Sequence, residues 1–201
     1  MTPTVAAAVA AIRGGRVAIL PTDTVYGLAS TADSPAGRDA VYRLKGRADE
    51  QPTALVAASL DELHGRLSEL DEDAWRGVSA LLPGPYTLVV ANPARRFPWL
   101  CGSDPASIGV RVPAVHGAVR EVLAAVGAVV ATSANLPGGA EPRRLEDIPE
   151  ALRAGAAALL DGGELPGVAS TVLDLTGEEP RVLRAGAGDV GEALARLAAL
   201  G

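Results

Sequence analysis

Short apolar runs alternate with amphipathic segments along this chain, and glycine and proline separate most of them. The apolar runs predict strands at 16–20, 53–57, 86–91, 107–112, 128–132, 157–160, 170–175 and 181–183. Apolar positions at helical spacing predict helices at 4–13, 35–44, 71–82, 115–126, 147–155 and 189–200, with a glycine- and proline-rich loop at 136–142. Asp71 is the predicted N-cap of the third helix. Because strands and helices alternate without a strict order, we predict an α/β fold with a mixed sheet, not a purely parallel one.

The composition limits both the architecture and the class of partner. With 201 residues, 48% hydrophobic content and no internal repeat or evident linker, the chain is expected to form a single domain over 1–201. Its formal charge of −6 argues against a protein whose main task is to coat nucleic acid, since phosphate binding rests on clustered lysine and arginine. This charge still permits a small anionic ligand held by a few convergent cations.

Cysteine and histidine are too few for two common kinds of site. Cys101 is the only cysteine, so we expect no internal disulfide and no cysteine-based zinc site. With His64 and His116 as the only histidines, a transition-metal site is not expected either. The apolar stretch 5–12 is too short to span a bilayer and is interpreted as a helix, so we expect no membrane association and a cytoplasmic protein.

Cationic residues occur at two places where a ligand could use them. Lys45, the only lysine among 18 cationic residues, and Arg47 flank a glycine just past a helix end. This pair suits a phosphate or a carboxylate, and the alternative is that it complements the helix dipole. Arg111 lies within an apolar strand, where its charge is costly unless it is paired, or else the side chain faces outwards.

Hydroxyl and amide groups follow two other apolar runs, in the position where open α/β sheets place ligands. The segment 21–28 contains hydroxyls, a carboxylate and a phenol, and the segment 131–135 contains small hydroxyl and amide groups. Both could instead be capped turns. Together with the cations, these segments indicate an anion-binding site with no visible nucleophile. Such a site suits phosphoryl or nucleotidyl transfer by positioning and charge stabilisation.

An ordered set of short motifs resembles one known family. The motifs are Pro-Thr-Asp-Thr-Val-Tyr-Gly-Leu at 21–28, Lys-Gly-Arg at 45–47, Pro-Gly-Pro-Tyr-Thr at 83–87, Val-Arg-Val-Pro at 110–113, Thr-Ser-Ala-Asn at 132–135, Ser-Thr-Val at 170–172 and Leu-Arg-Ala-Gly at 183–186. Each motif is weak alone, but their order resembles the threonylcarbamoyl-AMP synthase family, also called YrdC-like, over nearly the whole chain. Without the extra domain of the long form, the chain resembles the short, single-domain form.

The resemblance implies a twisted mixed sheet with helices around a large, positively charged central cavity. It implies an L-threonylcarbamoyladenylate synthase, a nucleotidyltransferase that converts L-threonine, bicarbonate (or CO2) and ATP into threonylcarbamoyl-AMP and pyrophosphate. The product would serve tRNA threonylcarbamoyladenosine (t6A) modification, which a separate transferase complex completes, and a weak tRNA contact is compatible with this role. Mg2+ would be carried by ATP, so the resemblance implies no protein-ligated metal.

The resemblance also implies roles for individual residues. Lys45 and Arg47 match the cationic pair that faces the ATP phosphates and the carbamate, which makes them the predicted catalytic residues. The residues that match threonine-binding positions are Thr22, Arg111 and Ser170, and those that match nucleotide-binding positions are Lys45, Arg47, Ser107, Ser133, Asn135 and Arg184. Arg111 can fork onto the threonine carboxylate, and the cationic pair can stabilise charge on the α-phosphate.

Three positions depart from the family pattern. Ala48 stands where proline is usual, Val56 where longer members often carry histidine, and Pro137 where serine or threonine is usual. These departures concern loop conformation and substrate contacts more than the reaction. Two alternatives stay open: a carbamoyltransferase that forms carbamoyl-AMP from carbamoyl phosphate, and a non-catalytic RNA-binding module. The aromatic content of 3% and the acidic charge argue against the second.

Overall fold

Nine strands form one continuous sheet in the computed structural model, which describes residues 1–200. The strands are β1 (Ala18–Pro21), β2 (Tyr26–Thr31), β3 (Ala54–Ala57), β4 (Tyr86–Ala91), β5 (Ser107–Arg111), β6 (Ala128–Ser133), β7 (Ala158–Leu159), β8 (Thr171–Asp174) and β9 (Arg181–Arg184). Their order is β7-β1-β2-β6-β3-β5-β4-β8-β9. The pairs β1–β7, β3–β5 and β4–β8 are parallel and the other neighbours are antiparallel, so the predicted mixed sheet is confirmed.

Seven α-helices within the same residues pack on the sheet. They are α1 (Pro3–Arg13), α2 (Pro35–Lys45), α3 (Leu60–Arg66), α4 (Glu72–Leu81), α5 (Gly117–Val126), α6 (Glu150–Gly155) and α7 (Val190–Ala198). Asp71 is the N-cap of α4, as the sequence predicts, because its Oδ1 accepts a hydrogen bond of 2.8 Å from the Ala74 amide. In this part of the chain, no helix combines the length and the apolar character needed to cross a bilayer.

Alternate residues of the central strands enter two apolar clusters on opposite faces of the sheet. Ile19 belongs to the cluster that includes buried residues of α2, α4 and α6, whereas Leu20 belongs to the cluster that includes those of α1 and α5. Successive residues of a strand point to opposite faces, so each cluster covers one face. Ala54 and Ala131 pack against the cluster under α1 and α5 and also line a cavity, which therefore opens beside these two helices.

The sequence pattern misses two elements and misplaces one boundary. The segment 21–28 is expected to be a polar loop, but β2 begins within it at Tyr26, since five of its six residues are buried. Its small side chains give no β-branched signal before Thr31. Helix α3 buries only Leu63, so its sequence shows no apolar periodicity. The helix predicted from residue 147 begins after Pro149 instead, with a separate 3-10 turn at Leu145–Asp147.

Candidate active site

A cavity of about 570 Å³ opens on this face of the sheet. Its charged lining residues are Arg47, Arg111, Arg181, Arg184, Asp104 and Asp174. Arginine thus outnumbers carboxylate inside the cavity although the whole chain carries −6, and such a local excess favours an anionic ligand. Both carboxylates are engaged: Asp104 accepts a 2.7 Å bond from the Ser107 hydroxyl, and Asp174 pairs with Arg181 at 2.5 Å.

Small residues form the floor of this cavity. Ala54 on β3 pairs in register with Gly109 on β5 and with Ala131 on β6, and all three line the cavity. A Cβ atom at Gly109 would meet the Thr53 carbonyl oxygen at 3.6 Å and the Ala54 Cα at 3.7 Å, which are ordinary contacts. The fold therefore accepts a side chain at Gly109. Its absence leaves room for a ligand, a known reason for glycine inside a strand.

Arg111 lies at the end of β5 and is the most buried of the arginines that are predicted from the sequence to bind a ligand. It is 8% exposed, and its Nη2 donates to Asp23 Oδ1 at 2.5 Å and to Thr24 Oγ1 at 2.8 Å. Burial lowers the pKa of Arg111 from its ordinary value, and the charge of Asp23 opposes this shift. Nε is buried without a hydrogen-bond partner, which normally costs about 1–3 kcal/mol. Arg111 is therefore paired, and the outward-facing alternative is wrong.

Thr22 lines the cavity, but its hydroxyl is occupied by the turn between β1 and β2. Oγ1 donates to the Val25 carbonyl oxygen at 2.7 Å and accepts from the amides of Thr24 at 3.2 Å and Val25 at 3.1 Å. A hydroxyl has one donor and two acceptor positions, so this turn uses all of them. Thr22 can meet a ligand through its methyl group and its main chain, while its hydroxyl fixes the turn.

Ser170 and Arg184 form a second polar group at the cavity wall. The guanidinium of Arg184 donates from Nε and Nη2 to the Ser170 carbonyl oxygen at 3.1 and 2.8 Å. The Ser170 hydroxyl lies 2.8 Å from that of Thr87 on the neighbouring strand β4. In the antiparallel pair β4–β5, Leu88 lies opposite Val110, so the next positions, Thr87 and Arg111, lie at the same end of these strands. The structure thus brings Ser170, Arg184 and Arg111 to one end of the cavity.

Lys45, the last residue of α2, directs its ammonium at the end of β6. Nζ donates to the Ser133 carbonyl oxygen at 2.6 Å, the Ser133 hydroxyl at 3.1 Å and Asn135 Oδ1 at 2.9 Å. An ammonium has three donors, so these neutral oxygens use all of them. Lys45 is 5% exposed, and burial lowers its pKa from 10.5 to about 8, with Glu141 opposing the shift and Arg47 adding to it.

Gly46 lets the chain leave α2 so that Lys45 and Arg47 face different surroundings. Its φ of 70° lies in the left-handed region, which suits glycine at a helix end. Arg47 then lines the cavity directly, and its Nη2 donates to the Pro52 carbonyl oxygen at 2.7 Å. Arg47 therefore lies at the cavity surface, whereas Lys45 lies behind Ser133.

The cavity gathers most of the residues that the sequence analysis selects. Those that line it are Thr22, Arg47, Ser107, Arg111, Ser133, Ser170 and Arg184, while Lys45 and Asn135 lie directly behind Ser133. Their assignment to threonine or to ATP stays a prediction. Of the departures from the family pattern, Val56 lines the cavity and is 6% exposed, whereas Ala48 and Pro137 are exposed residues outside its lining.

Sequence reasoning misses three residues that hold the site together, Asp23, Thr24 and Thr87. Asp23 and Thr24 bind Arg111, and Thr87 contacts the Ser170 hydroxyl. One signal was present for Asp23: a buried arginine requires a counter-ion, and the first polar segment contains one carboxylate. No pattern in the sequence distinguishes Thr24 or Thr87 from an ordinary buried strand or turn threonine.

Comparison with known proteins identifies the family. The family model described as Sua5_yciO_yrdC, telomere recombination, matches residues 10–186, most of the chain. The chain belongs to the Sua5/YciO/YrdC family. Among its relatives in this family, a Stenotrophomonas maltophilia protein named threonylcarbamoyl-AMP synthase is 40% identical over 173 residues, which cover 83% of this chain and 89% of that protein.

Two solved structures of the Sua5/YciO/YrdC family extend the likeness to the fold. The crystal structure of Pyrococcus abyssi Sua5 complexed with L-threonine has a TM-score of 0.85 at 30% identity, with 96% of this chain and 56% of that chain covered. The crystal structure of E. coli YciO has a TM-score of 0.83 at 29% identity, with 94% and 92% covered. This chain thus spans little more than half of the Pyrococcus protein. The predicted family and fold are confirmed, and the names of the synthase relatives agree with the predicted function.

Proposed function

We propose that this protein is a threonylcarbamoyl-AMP synthase, which joins L-threonine, bicarbonate (or CO2) and ATP with release of pyrophosphate. The carrying observation is the cavity. Arg111 lies at the end of β5, near Ser170, whereas Arg47 contacts Pro52 just before the parallel strand β3 and so lies towards the other end of the strands, with Lys45 behind Ser133. A cavity with two separate cationic places suits two anionic reactants, an amino-acid carboxylate and a polyphosphate. Relatives of this family bear the synthase name, and one was solved with L-threonine.

The residues support a mechanism based on positioning and charge. The threonine amine and bicarbonate form a carbamate with loss of water. One carbamate oxygen then attacks the α-phosphorus of ATP, the bond to the β-phosphate oxygen breaks, and pyrophosphate leaves with its electron pair. Nη2 of Arg111 is already bonded to Asp23 and Thr24. The other donors of the guanidinium hold the threonine carboxylate. Arg47 and Lys45 stabilise the negative charge that develops around the α-phosphate, and the cavity keeps both reactants in line.

Mg2+ enters this reaction as part of the nucleotide substrate. Among residues 1–200, no group of three or more histidine, cysteine, aspartate or glutamate side chains is placed to hold a metal ion, and Asp104 and Asp174 already have partners. ATP brings its own metal in many phosphoryl-transfer enzymes, so such a group is not required. We also propose that the product is passed to a separate t6A transferase complex in the cytoplasm, with at most a weak contact to tRNA.

The first experiment measures pyrophosphate release from Mg-ATP with L-threonine and bicarbonate varied independently. The proposed synthase requires both, and removal of either one returns the rate to the level of the blank. A parallel reaction with carbamoyl phosphate tests the carbamoyltransferase alternative, and release only in that reaction would overturn the synthase assignment. Pyrophosphate release that ignores threonine, or tRNA binding without any ATP turnover, would also contradict it.

A further inference from the structure

The turn between β1 and β2 holds Arg111 through hydrogen bonds from residues that do not line the cavity. Both hydrogen bonds of the guanidinium leave from Nη2, one to Asp23 at 2.5 Å and one to Thr24 at 2.8 Å. The second oxygen of Asp23, Oδ2, accepts from the Ala114 amide at 3.0 Å, which lies past the end of β5. The carboxylate thus ties the strand that carries Arg111 to the turn that carries Thr22, with one oxygen for each contact.

Neither Asp23 nor Thr24 lines the cavity, although their neighbours Thr22 and Val25 do. The Asp23 side chain is 10% exposed and Thr24 is fully buried. The hydroxyl of Thr24 also lies 3.0 Å from that of Thr22, which caps the turn. The two residues therefore reach a ligand only through Arg111 and through the shape of the turn.

We propose that Asp23 and Thr24 are positioning residues, which together fix the guanidinium of Arg111 so that its remaining donors meet the carboxylate of the amino-acid substrate. This inference rests on the proposed function. An arginine side chain has several rotatable bonds, and an unrestrained guanidinium would have to be ordered each time a carboxylate binds. Two contacts to Nη2 fix both the position and the plane of the group in advance. The Nη1 donors, which the turn does not use and which are not among the buried unpaired atoms, remain for the ligand.

A purely structural role is the competing explanation, since the same contacts join two segments of the fold. The two explanations differ in what a mutation changes. If Asp23 only stabilises the fold, its loss lowers thermal stability and affects threonine and ATP alike. If Asp23 orients Arg111, its loss weakens threonine far more than ATP. Arg184 is the one predicted nucleotide contact near Arg111, whereas Arg47, Ser107 and Ser133 lie towards the other end of the strands that form the cavity floor.

The test compares Asp23→Asn and Thr24→Val with the wild type in the pyrophosphate-release assay, with L-threonine and ATP varied in turn. Each change keeps the size of the side chain and removes the charge or the hydroxyl. We expect the KM for threonine to rise roughly 10- to 100-fold in Asp23→Asn, and less in Thr24→Val, as misplacement of a binding group commonly produces. The KM for ATP should change less than about twofold. Thr24→Val keeps the ion pair and is informative even if Asp23→Asn folds poorly.

Two matched controls lie outside the cavity. Asp161→Asn alters a carboxylate that accepts from the Tyr26 hydroxyl at 3.0 Å, and Ser30→Ala removes a fully buried hydroxyl that donates to the Arg16 carbonyl oxygen at 3.0 Å. Asp161 is exposed and Ser30 is buried, and neither contact involves Arg111. We expect each control to leave the KM for threonine at the wild-type value. An equal rise in a control would assign the effect to general loosening of the fold and overturn the proposal.

A double-mutant cycle decides whether Asp23 acts through Arg111. In an Arg111→Ala background, Asp23→Asn should produce no further rise in the KM for threonine, because the group that it orients is gone. An additive rise would show an independent role and overturn the proposal, as would a wild-type threonine KM in both Asp23→Asn and Thr24→Val. These results are separate from a failure of the proposed function, which would appear first as a wild-type protein that neither binds L-threonine in calorimetry nor requires it for turnover.

Discussion

Two buried cations stand at this cavity and are held in opposite ways. Arg111 is 8% exposed and has a carboxylate partner, Asp23, at 2.5 Å. Lys45 is 5% exposed, and the oxygens that receive its three donors, from Ser133 and Asn135, are all neutral. The positive charge of Arg111 is thus balanced within the protein, whereas that of Lys45 is solvated by dipoles and has no counter-ion in contact.

This difference matches the chemistry of the two side chains. A guanidinium stays protonated at any physiological pH, so a buried arginine needs a permanent partner. Once paired, it is held in a fixed position from which it can bind an anion. An ammonium can lose its proton when buried, and the pKa of Lys45 falls to about 8 because burial disfavours its charged form. Among residues 1–200, Lys45 has no negatively charged group in contact, and a bound triphosphate would supply negative charge. We infer that the substrate provides the counter-charge for Lys45, whereas the protein provides it for Arg111 through Asp23.

The replacement of Lys45 by methionine should produce the largest effect, on activity. The phosphates of ATP would then be stabilised by Arg47 without the positive charge of Lys45. We expect kcat/KM for ATP to fall about 10²- to 10³-fold. The fold should persist, since methionine keeps the apolar stem. Arg43→Met, at an exposed position of the same helix α2, is the matched control and should leave turnover unchanged. A folded Lys45→Met protein with wild-type kcat/KM for ATP would refute the idea that its site awaits the nucleotide.

The next prediction concerns stability and uses Asp23→Ala. Loss of the carboxylate strands the buried charge of Arg111, and removal of one partner of a buried pair costs roughly 3–5 kcal/mol. Lys45→Met strands no charge, so its free energy of unfolding in urea should change much less. Asp33→Ala is the control, because Asp33 pairs with Arg66 but its side chain is 58% exposed, and such a pair is worth about 0–1 kcal/mol. Equal losses for Asp23→Ala and Lys45→Met would break the comparison.

The third prediction is a pH dependence that belongs to Lys45 alone. Below pH 8 its ammonium is charged, and above pH 8 it becomes neutral, because its pKa is lowered to about 8. We expect kcat/KM for ATP, measured at saturating threonine, to fall by about tenfold per pH unit on the alkaline side of this value. Lys45→Arg retains its charge and should lose that limb even if its overall rate is lower. The same alkaline limb in Lys45→Arg would show that another group titrates.

Asn135→Asp would convert the Lys45 site into one that resembles the Arg111 site. The new carboxylate lies within contact of Nζ, so it should raise the pKa of Lys45 and neutralise the charge that the phosphates would meet. We expect the KM for ATP to rise roughly fivefold, which corresponds to about 1 kcal/mol, and the alkaline limb to move to higher pH. Threonine affinity should not change. An unchanged KM for ATP together with a shifted alkaline limb would mean that Lys45 does not face the nucleotide.

Much of the fold can be predicted from the sequence, but only part of the difference between the Arg111 site and the Lys45 site. The strands at 86–91 and 128–132 and the cap at Asp71 follow from local patterns, and the structure contains them. Burial and polarity show that Arg111 must be paired or face outwards, but the choice depends on Asp23, which lies 88 residues away in the chain. Pairing over that distance is set by sheet topology. A local pattern does not contain it.

The partners of Lys45 are hidden for a related reason. The position of Lys45 beside Gly46 and Arg47 indicates an anion site, and the family resemblance implies that Lys45 and Arg47 both face the ATP phosphates. Its actual neighbours are Ser133 and Asn135, which approach because α2 packs on β2 and β6, and β6 ends beside the last residue of α2. Which cation forms the surface and which stands behind it follows from this packing.

Ser133 offers the smallest and most specific test of the same contrast. Its hydroxyl is the weakest of the contacts to Lys45, at 3.1 Å, and it also donates to Asn135 Oδ1 at 2.7 Å. Ser133→Ala removes one neutral oxygen and leaves the main-chain carbonyl and Asn135 in place. A neutral hydrogen bond contributes about 0.5–1.5 kcal/mol, so we expect only about a two- to threefold rise in the KM for ATP.

The pH profile separates Ser133 from a control serine. Ser133→Ala should move the alkaline limb to lower pH, since a less solvated ammonium loses its proton more easily. Ser107→Ala, on the same cavity wall but bonded to Asp104, should leave the limb in place. A limb that stays at the same pH in both variants would mean that the neutral oxygens do not hold the charge of Lys45, and the contrast with Arg111 would lose its basis.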